Sequence, residues 1–153
     1  MTDKRALALD AVAPYQAAPL GHFINGEAVA GTGTAFDVLE PGTGGVIGQC
    51  SDASEEQLNA AVSAAKAAFT GWVNTAPEQR RKILNRVADL IVANADKIAA
   101  TECLDAGQCW RFMSKAAIRG AENFRFFADR APGAADGKAL PRSEEHTSEL
   151  QSH

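Results

Sequence analysis

The sequence has few of the features that mark well-defined protein classes. It contains no run of about 18 apolar residues, so no membrane-spanning helix is predicted. Its three cysteines, Cys50, Cys103 and Cys109, lack paired spacing, which argues against a disulfide framework and favours a cytoplasmic protein. The net charge is −4, so no basic face for nucleic acid is predicted.

Histidine is also scarce, and this limits the metal and acid–base chemistry that can be expected. Of the three histidines, His146 and His153 lie in the last twelve residues, which leaves His22. The cysteines and His22 form no CxxC or HxxxH pattern, so no metal site is predicted. We interpret His22 as a surface or hairpin residue rather than a general base.

The last twelve residues, RSEEHTSELQSH, differ from the rest of the chain. They fit neither helical nor strand periodicity, and Leu150 is their one aliphatic residue. They match the in-frame translation of a common sequencing-library adapter. We therefore predict that residues 142–153 are an adapter-derived tail and that the natural chain continues beyond Pro141. A solvated, disordered tail is the alternative interpretation.

The pattern of the amino-terminal third of the sequence predicts a flexible arm followed by short strands. Residues 1–20 carry Pro14, Pro19 and little apolar pattern, so we expect a flexible arm. Asn25-Gly26 between short apolar runs predicts a hairpin. Two further strands are expected over residues 35–39 and 46–50. The glycines around them are interpreted as turns, because no third glycine and no following helix complete a phosphate-binding loop.

From residue 51 the apolar period becomes helical. Ser54 and Gln57 have the spacing of a capping box, and the helix that they begin is expected to end at Gly71. Pro77 suits the first position of a second helix, Asn94 indicates a break before a third, and a fourth is predicted over residues 110–130. These amphipathic helices either close a core beside the strands or form a layer that packs on a further sheet.

Two residues invite a functional interpretation. Cys109, in DAGQCW, lies close to Gly107 and could be a nucleophile if a base or a helix dipole lowered its pKa, but no base is expected near it. Arg119 lies among small residues on the last helix, which leaves room around its guanidinium. It is either a surface arginine or a residue that binds an anionic ligand. A guanidinium can donate two parallel hydrogen bonds to one carboxylate.

Several stretches, in order, resemble the amino-terminal part of the NAD(P)-dependent aldehyde dehydrogenase superfamily. They are FINGE, FDVLEPGTGGVI, AAVSAAKAAFTGW, PEQRRKILNRVADLIVANADKIAATECLDAG and GAENFRFFAD followed by GKALP. The resemblance covers residues 22–141. It implies an α/β fold in which residues 21–141 form an incomplete part of the cofactor-binding domain, namely the first strands and helices that pack on its Rossmann-like sheet.

The resemblance also implies a reaction. Family members oxidise aldehydes to acids: a cysteine thiolate attacks the carbonyl, hydride passes to NAD or NADP, and a glutamate activates the water that releases the acid. The parent enzyme is then expected to take a small aldehyde substrate and to form a homo-oligomer. The family's asparagine, cysteine, glutamate and nucleotide-binding motifs do not occur in this sequence. Cys109 lacks the motif that surrounds the family's nucleophile, so no catalytic, cofactor or metal residue is assigned, and the chain itself is predicted to be inactive.

Within the superfamily, IRGAENFRFFAD is most similar to enzymes for muconic-type semialdehydes. Arg119 falls on an arginine that is associated there with the substrate carboxylate, although Gly120 departs from the pattern. Enzymes for general aldehydes or betaine aldehyde are competing interpretations. A non-catalytic helical interaction module that folds alone is the alternative from a different functional class.

Overall fold

The computed structural model describes residues 3–133, which form seven helices and four short strands. The amino-terminal part contains α1 (Lys4–Val12), α2 (Pro14–Ala17), β1 (His22–Ile24), β2 (Glu27–Val29), β3 (Ala35–Leu39) and β4 (Val46–Ser51). The remaining elements are α3 (Glu55–Val73), α4 (Pro77–Ala93), α5 (Ala95–Ala106), α6 (Trp110–Met113) and α7 (Ala116–Arg130). None of these helices is long and apolar enough to cross a bilayer.

Residues 3–20 differ from the flexible arm that the composition of residues 1–20 indicates. The carboxylate of Asp3 caps α1 by accepting hydrogen bonds from two backbone N–H groups of its first turn. Ala8 and Val12, one turn apart, are buried with Ile47, Ala100 and Leu104 in the main apolar cluster. Small side chains give a weak periodic signal, yet they let α1 approach α5 closely. The helix is therefore stabilised by packing rather than by its own pattern.

The strands form two separate antiparallel hairpins. At the predicted turn, Asn25 and Gly26 both have positive φ, 54° and 84°, as a two-residue hairpin of this twist requires. This places Phe23 opposite Ala28. In the second hairpin Ala35 pairs with Ser51, and the register shifts between Val38 and Leu39. No parallel sheet is formed within the described range, although Leu20 makes one parallel bridge to Cys50.

Helix α3 begins as its capping signal predicts. The Ser54 hydroxyl accepts from the Gln57 N–H, and the Gln57 amide oxygen accepts from the Ser54 N–H, each at 3.3 Å. The helix continues past Gly71 to Val73, so the predicted end at the glycine is two residues early. A glycine lowers helix stability without terminating it when the backbone retains helical geometry.

Helices α4 and α7 pack against each other through small side chains. Ala88 of α4 and Ala121 and Ala128 of α7 are buried. Alanine at these positions allows the two backbones to approach. Two ion pairs of 2.9 Å flank the seam, from Arg81 to Asp129 and from Arg125 to Asp89. The seam holds α7, and with it Arg119, in a fixed position.

The segment expected as one helix over residues 110–130 is divided. Helix α6 ends at Met113 and α7 begins at Ala116. At the break the Lys115 N–H donates to the Phe112 carbonyl three residues earlier, which tightens the turn. Helix α5 ends as predicted at Gly107, whose φ of 66° is the left-handed conformation common at helix ends.

Candidate functional site

The break between α6 and α7 creates a concave pocket. Its volume is about 570 Å³, and it opens to solvent beside the first two turns of α7. Three basic, two apolar and two further polar side chains line it: Arg111, Lys115, Arg119, Phe112, Ile118, Ser114 and Glu122. We call this set the α6–α7 pocket. These residues come from α6, from α7 and from the turn between the two helices.

Arg119 lies in the first turns of α7, where its backbone N–H donates to the Lys115 carbonyl at 3.1 Å. Arg119 is exposed to solvent. Its guanidinium forms no ion pair with any carboxylate of residues 3–133. The five donors of this group are therefore available to a ligand that enters the pocket. The structure is compatible with both interpretations of Arg119, a surface arginine and a residue that binds an anionic ligand. If Arg119 binds an anion, the α6–α7 pocket is where that ligand would lie.

The pocket combines positive charge with apolar surface. Its three cations outnumber the one carboxylate, that of Glu122. The Arg111 guanidinium lies 5.6 Å from the centre of the Phe112 ring, close enough for a cation–π interaction. The Phe112 ring and the Ile118 side chain are both exposed. Such a surface suits a small molecule that has an apolar body and an anionic end.

The sequence indicated Arg119 but not its companions. Arg111, Lys115 and Arg119 are spaced by four residues each. That spacing on a continuous helix would have placed them along one face, and this is the signal that sequence reasoning left unused. The break between α6 and α7 instead arranges them around a depression.

Cys109, the candidate nucleophile, and His22 lie in separate elements. Cys109 is exposed at the start of α6, whereas His22 lies in β1. Burial raises the pKa of the Cys103 thiol, and nearby Cys109 and Glu102 raise it further. A raised pKa favours the thiol over the reactive thiolate. No group of three or more metal-ligating side chains occurs within residues 3–133.

The glycine-rich turns do not fit a nucleotide phosphate. A Cβ at Gly31 or Gly33 would lie within 3 Å of Ser51 or Asp52, so these glycines serve close backbone packing. Gly44, with a φ of 72°, belongs to the turn between β3 and β4 and is followed by a strand. A phosphate cradle needs a helix amino terminus after the loop, and these loops have none. These two loops therefore do not form a phosphate cradle at a helix amino terminus.

A second, smaller pocket of about 230 Å³ lies between the amino-terminal helices and β4. Its lining is mostly apolar and includes Val12, Tyr15, Leu20, Val38 and Ile47. Two of these residues belong to α1 and α2, where the sequence predicted a flexible arm. No sequence signal pointed to this cavity, because it exists only once those helices pack.

Comparison with protein families gives a match to the model described as "Aldehyde dehydrogenase family" over residues 28–153. The match covers most of the chain and extends through residues 142–153. The origin of those residues from an adapter stays a prediction, and they lie outside the described range.

Two curated relatives illustrate the similarity. An aldehyde dehydrogenase of Alternaria alternata is 44% identical over 105 residues, which is 67% of this chain and 21% of the relative. The 2-hydroxymuconic semialdehyde dehydrogenase of Pseudomonas sp. (strain CF600) is 42% identical over 111 residues, or 71% of this chain and 23% of the relative. The chain thus spans about a fifth of the length of these relatives.

Solved structures show the same relationship in three dimensions. HpcC from Thermus thermophilus matches with a TM-score of 0.81 and 35% identity, over 90% of this chain and 27% of that one. PnpE, solved in complex with nicotinamide adenine dinucleotide, matches with a TM-score of 0.69 and 30% identity, over 72% of this chain and 23% of that one. The helices and hairpins described above are therefore part of a larger α/β fold in these proteins.

Proposed function

Because the chain belongs to the aldehyde dehydrogenase family, we propose that it is the amino-terminal part of an enzyme that oxidises an aldehyde to the acid with NAD(P)+. Two findings support this proposal. The chain aligns with 21% of the length of the Alternaria alternata relative, and PnpE was solved in complex with nicotinamide adenine dinucleotide. NAD(P)+, when bound to the whole enzyme, supplies the hydride acceptor. We further propose a homo-oligomeric enzyme of the cytoplasm.

The proposed substrate is a semialdehyde that carries a carboxylate. The observation that carries this proposal is Arg119, which lines an open pocket with two other cations and two apolar side chains. A guanidinium holds a carboxylate through two parallel hydrogen bonds, while Phe112 and Ile118 contact the carbon chain. The semialdehyde named for the Pseudomonas relative supports the same substrate class.

The role proposed for this part of the enzyme is binding and orientation. Within residues 3–133 Cys109 and His22 lie in separate elements, and the glycine-rich loops lead into strands. The contribution of Arg119 is to hold the carboxylate end of the substrate, so that the aldehyde end points away from α7. Fixing one end lowers the entropy cost of bringing the other to a reactive group.

The test is Arg119→Ala in the enzyme extended to the length of its relatives. We expect kcat/KM for a carboxylate-bearing semialdehyde to fall about tenfold, which is about 1.4 kcal/mol and the low end for a hydrogen bond to a charged group because the site is exposed. A neutral aldehyde of equal length should be unaffected. Arg86→Ala on α4, outside the pocket, serves as the matched control. Equal losses for both substrates, or none for either, would leave Arg119 a surface residue.

A non-catalytic interaction module is the second candidate, and the exposed apolar side of α3 favours it. Sequencing the gene separates the two proposals. A reading frame that continues past the codon for Pro141 into a PWN motif supports the enzyme. A stop codon there supports the module.

A further inference from the structure

Helix α6, which provides two side chains of the α6–α7 pocket, has few interactions of its own to fix its position. It is four residues long, its N-cap residue Cys109 makes no side-chain capping bond within residues 3–133, and none of its own residues is buried. A single helical turn is not stable by itself in water. The places of Arg111 and Phe112 in the pocket lining therefore depend on the contacts of α6 with other elements.

Trp110, the first residue of α6, makes the contact with the amino-terminal part of the chain. It packs against the main apolar cluster, to which α1 contributes. The ammonium group of Lys4 lies over its ring, with Nζ 4.9 Å from the ring centre. This is within the distance of about 6 Å at which a ring face attracts a cation. Lys4 and Trp110 also line one small cleft of about 150 Å³ between α1, α5 and α6.

The same ammonium group makes a second contact, with α5. Lys4 Nζ lies 2.5 Å from a carboxylate oxygen of Asp96, in the first turn of that helix. The Lys4 side chain is 35% exposed, so water screens the two contacts only in part. One cation at the start of α1 thus contacts both α5 and α6, and the residue after Trp110 is the pocket residue Arg111.

We infer that Lys4 is a positioning residue for the α6–α7 pocket. Through Trp110 it holds α6 where Arg111 and Phe112 line the pocket. This inference rests on the proposed function, because it concerns the same site. When α6 leaves this position for part of the time, the apparent affinity for a ligand falls in proportion to the fraction of chains that remain competent to bind. A residue of the segment expected to be a flexible arm thereby contributes to ligand binding.

The experiment measures the binding of hexanoate and of neutral hexanamide to the monomeric fraction of the 153-residue chain. The backbone amide signals of residues 111–122, labelled with ¹⁵N, report binding at a temperature below the melting transition. We expect Lys4→Met, which keeps an apolar stem and loses the charge, to bind hexanoate about threefold more weakly, which is about 0.7 kcal/mol. Lys4→Arg keeps the cation and should restore the affinity. Lys66→Ala on α3 should leave it unchanged.

The fluorescence of Trp110 provides a readout of the position of α6. The chain contains two tryptophans, so Trp72→Phe leaves Trp110 as the single reporter. In this background acrylamide should quench Trp110 more efficiently in Lys4→Met than in the parent, because the ring leaves the cleft for part of the time. Thermal melting of each variant separates positioning from stability. A role confined to stability would lower Tm and leave hexanoate affinity unchanged below the transition.

Three results would overturn the inference. They are parental hexanoate affinity in Lys4→Met, affinity as weak in Lys4→Arg as in Lys4→Met, and equal quenching of Trp110 in Lys4→Met and the parent. Arg119→Ala separates this inference from the proposed function. If Arg119→Ala removes the preference for hexanoate over hexanamide while Lys4→Met keeps the parental affinity, the proposed site stands and the positioning role fails. If the unmodified chain does not prefer hexanoate, both fail.

Discussion

At the residue scale, the pair formed by Arg5 and Glu40 ties α1 to the second hairpin. Both guanidinium Nη atoms donate to the Glu40 carboxylate, at 2.5 and 2.8 Å, and the Thr43 hydroxyl donates to it at 3.0 Å. The Glu40 side chain is 12% exposed. The hydrogen bonds from Arg5 are the main cause that lowers the pKa of Glu40 from 4.5 to about 2. The ionised carboxylate is thus the form that the folded chain favours.

The sign of the pH dependence follows from that direction. A carboxyl whose folded pKa is lowered stabilises the fold above its unfolded pKa, and this contribution is lost as the pH falls through the folded value. For Glu40 the loss should occur between about pH 4.5 and pH 2. In Arg5→Ala we expect the Glu40 pKa to rise toward 4.5, measured by carbon-13 NMR of the carboxyl group.

The thermal stability of the same variant provides a second measurement. Arg5→Ala should melt below the parent at pH 7, and the difference should shrink as the pH approaches 2. Lys66→Ala, which removes an exposed cation without an ion pair among the described residues, is the control. A Glu40 titration near pH 4.5 in the unmodified chain would show that the pair does not persist in solution.

At the element scale, Gln57 connects α3 to the strands. Its side-chain oxygen accepts from the Thr32 N–H at 3.0 Å and from the Thr32 hydroxyl at 2.8 Å, and its Nε2 donates to the Ala30 carbonyl at 2.7 Å. The same oxygen completes the capping box with Ser54. One side chain therefore both begins the helix and fixes the loop between β2 and β3.

Substitutions at the two capping residues should have different effects. Ser54→Ala is expected to cost about 1 kcal/mol, as for the loss of an N-cap. Gln57→Ala removes the bonds to Thr32 and Ala30 as well, so its loss of unfolding free energy should be larger. Denaturant unfolding measures both.

Hydrogen exchange and a conservative variant locate the effect of Gln57. Amides of residues 30–33 should exchange faster in Gln57→Ala but not in Ser54→Ala. Gln57→Glu keeps an acceptor and loses the donor to Ala30, so we expect an intermediate result. Equal destabilisation by Ser54→Ala and Gln57→Ala would mean that the contacts with Thr32 and Ala30 contribute nothing.

At the scale of the whole molecule, α3 exposes a continuous apolar side. Its nineteen residues include no buried one, and Leu58 and Phe69 are 59% and 65% exposed. Val62, Trp72 and Val73 are exposed on the same side. Contiguous apolar surface of this kind marks an interaction site or promotes aggregation.

The 153-residue chain is therefore expected to bind a hydrophobic dye or to aggregate. Replacing Leu58 and Phe69 together by serine should reduce dye fluorescence, because both changes remove area from the apolar side of α3. Phe23→Ser, at an exposed position on β1, should have little effect. A sharp, cooperative melt of a monomer without dye binding would instead favour the module that folds alone.

The same chain should not reduce NAD or NADP in the presence of an aldehyde. Its sequence contains none of the family's asparagine, cysteine and glutamate motifs, and its glycine-rich loops lead into strands rather than helices. The assay follows absorbance of the reduced cofactor, with a buffer blank and a complete aldehyde dehydrogenase as controls. Aldehyde-dependent turnover above the blank would contradict the assignment of all catalytic groups to other parts of the enzyme.

The features that the sequence alone determined depend on interactions between close neighbours. Asn25-Gly26 specified the first hairpin because the turn needs positive φ at both positions, and Ser54 with Gln57 specified the start of α3 because the bonds span three residues. Pro77 marked the start of α4 for the same local reason. The membership of the family also followed from ordered sequence motifs, as the comparisons confirm.

Tertiary structure alone decided the packing of the first helix and the shape of the candidate pocket. Ala8 and Val12 give only a weak periodic signal, and α1 is stabilised by contacts with residues such as Leu104. Lys4 reaches Asp96 across 92 positions in the chain. The sequence, through its resemblance, pointed to Arg119, but the arrangement of α6 and α7 placed Arg111 and Lys115 in the lining of the same pocket. Such contacts depend on how separate elements pack, which local periodicity does not encode.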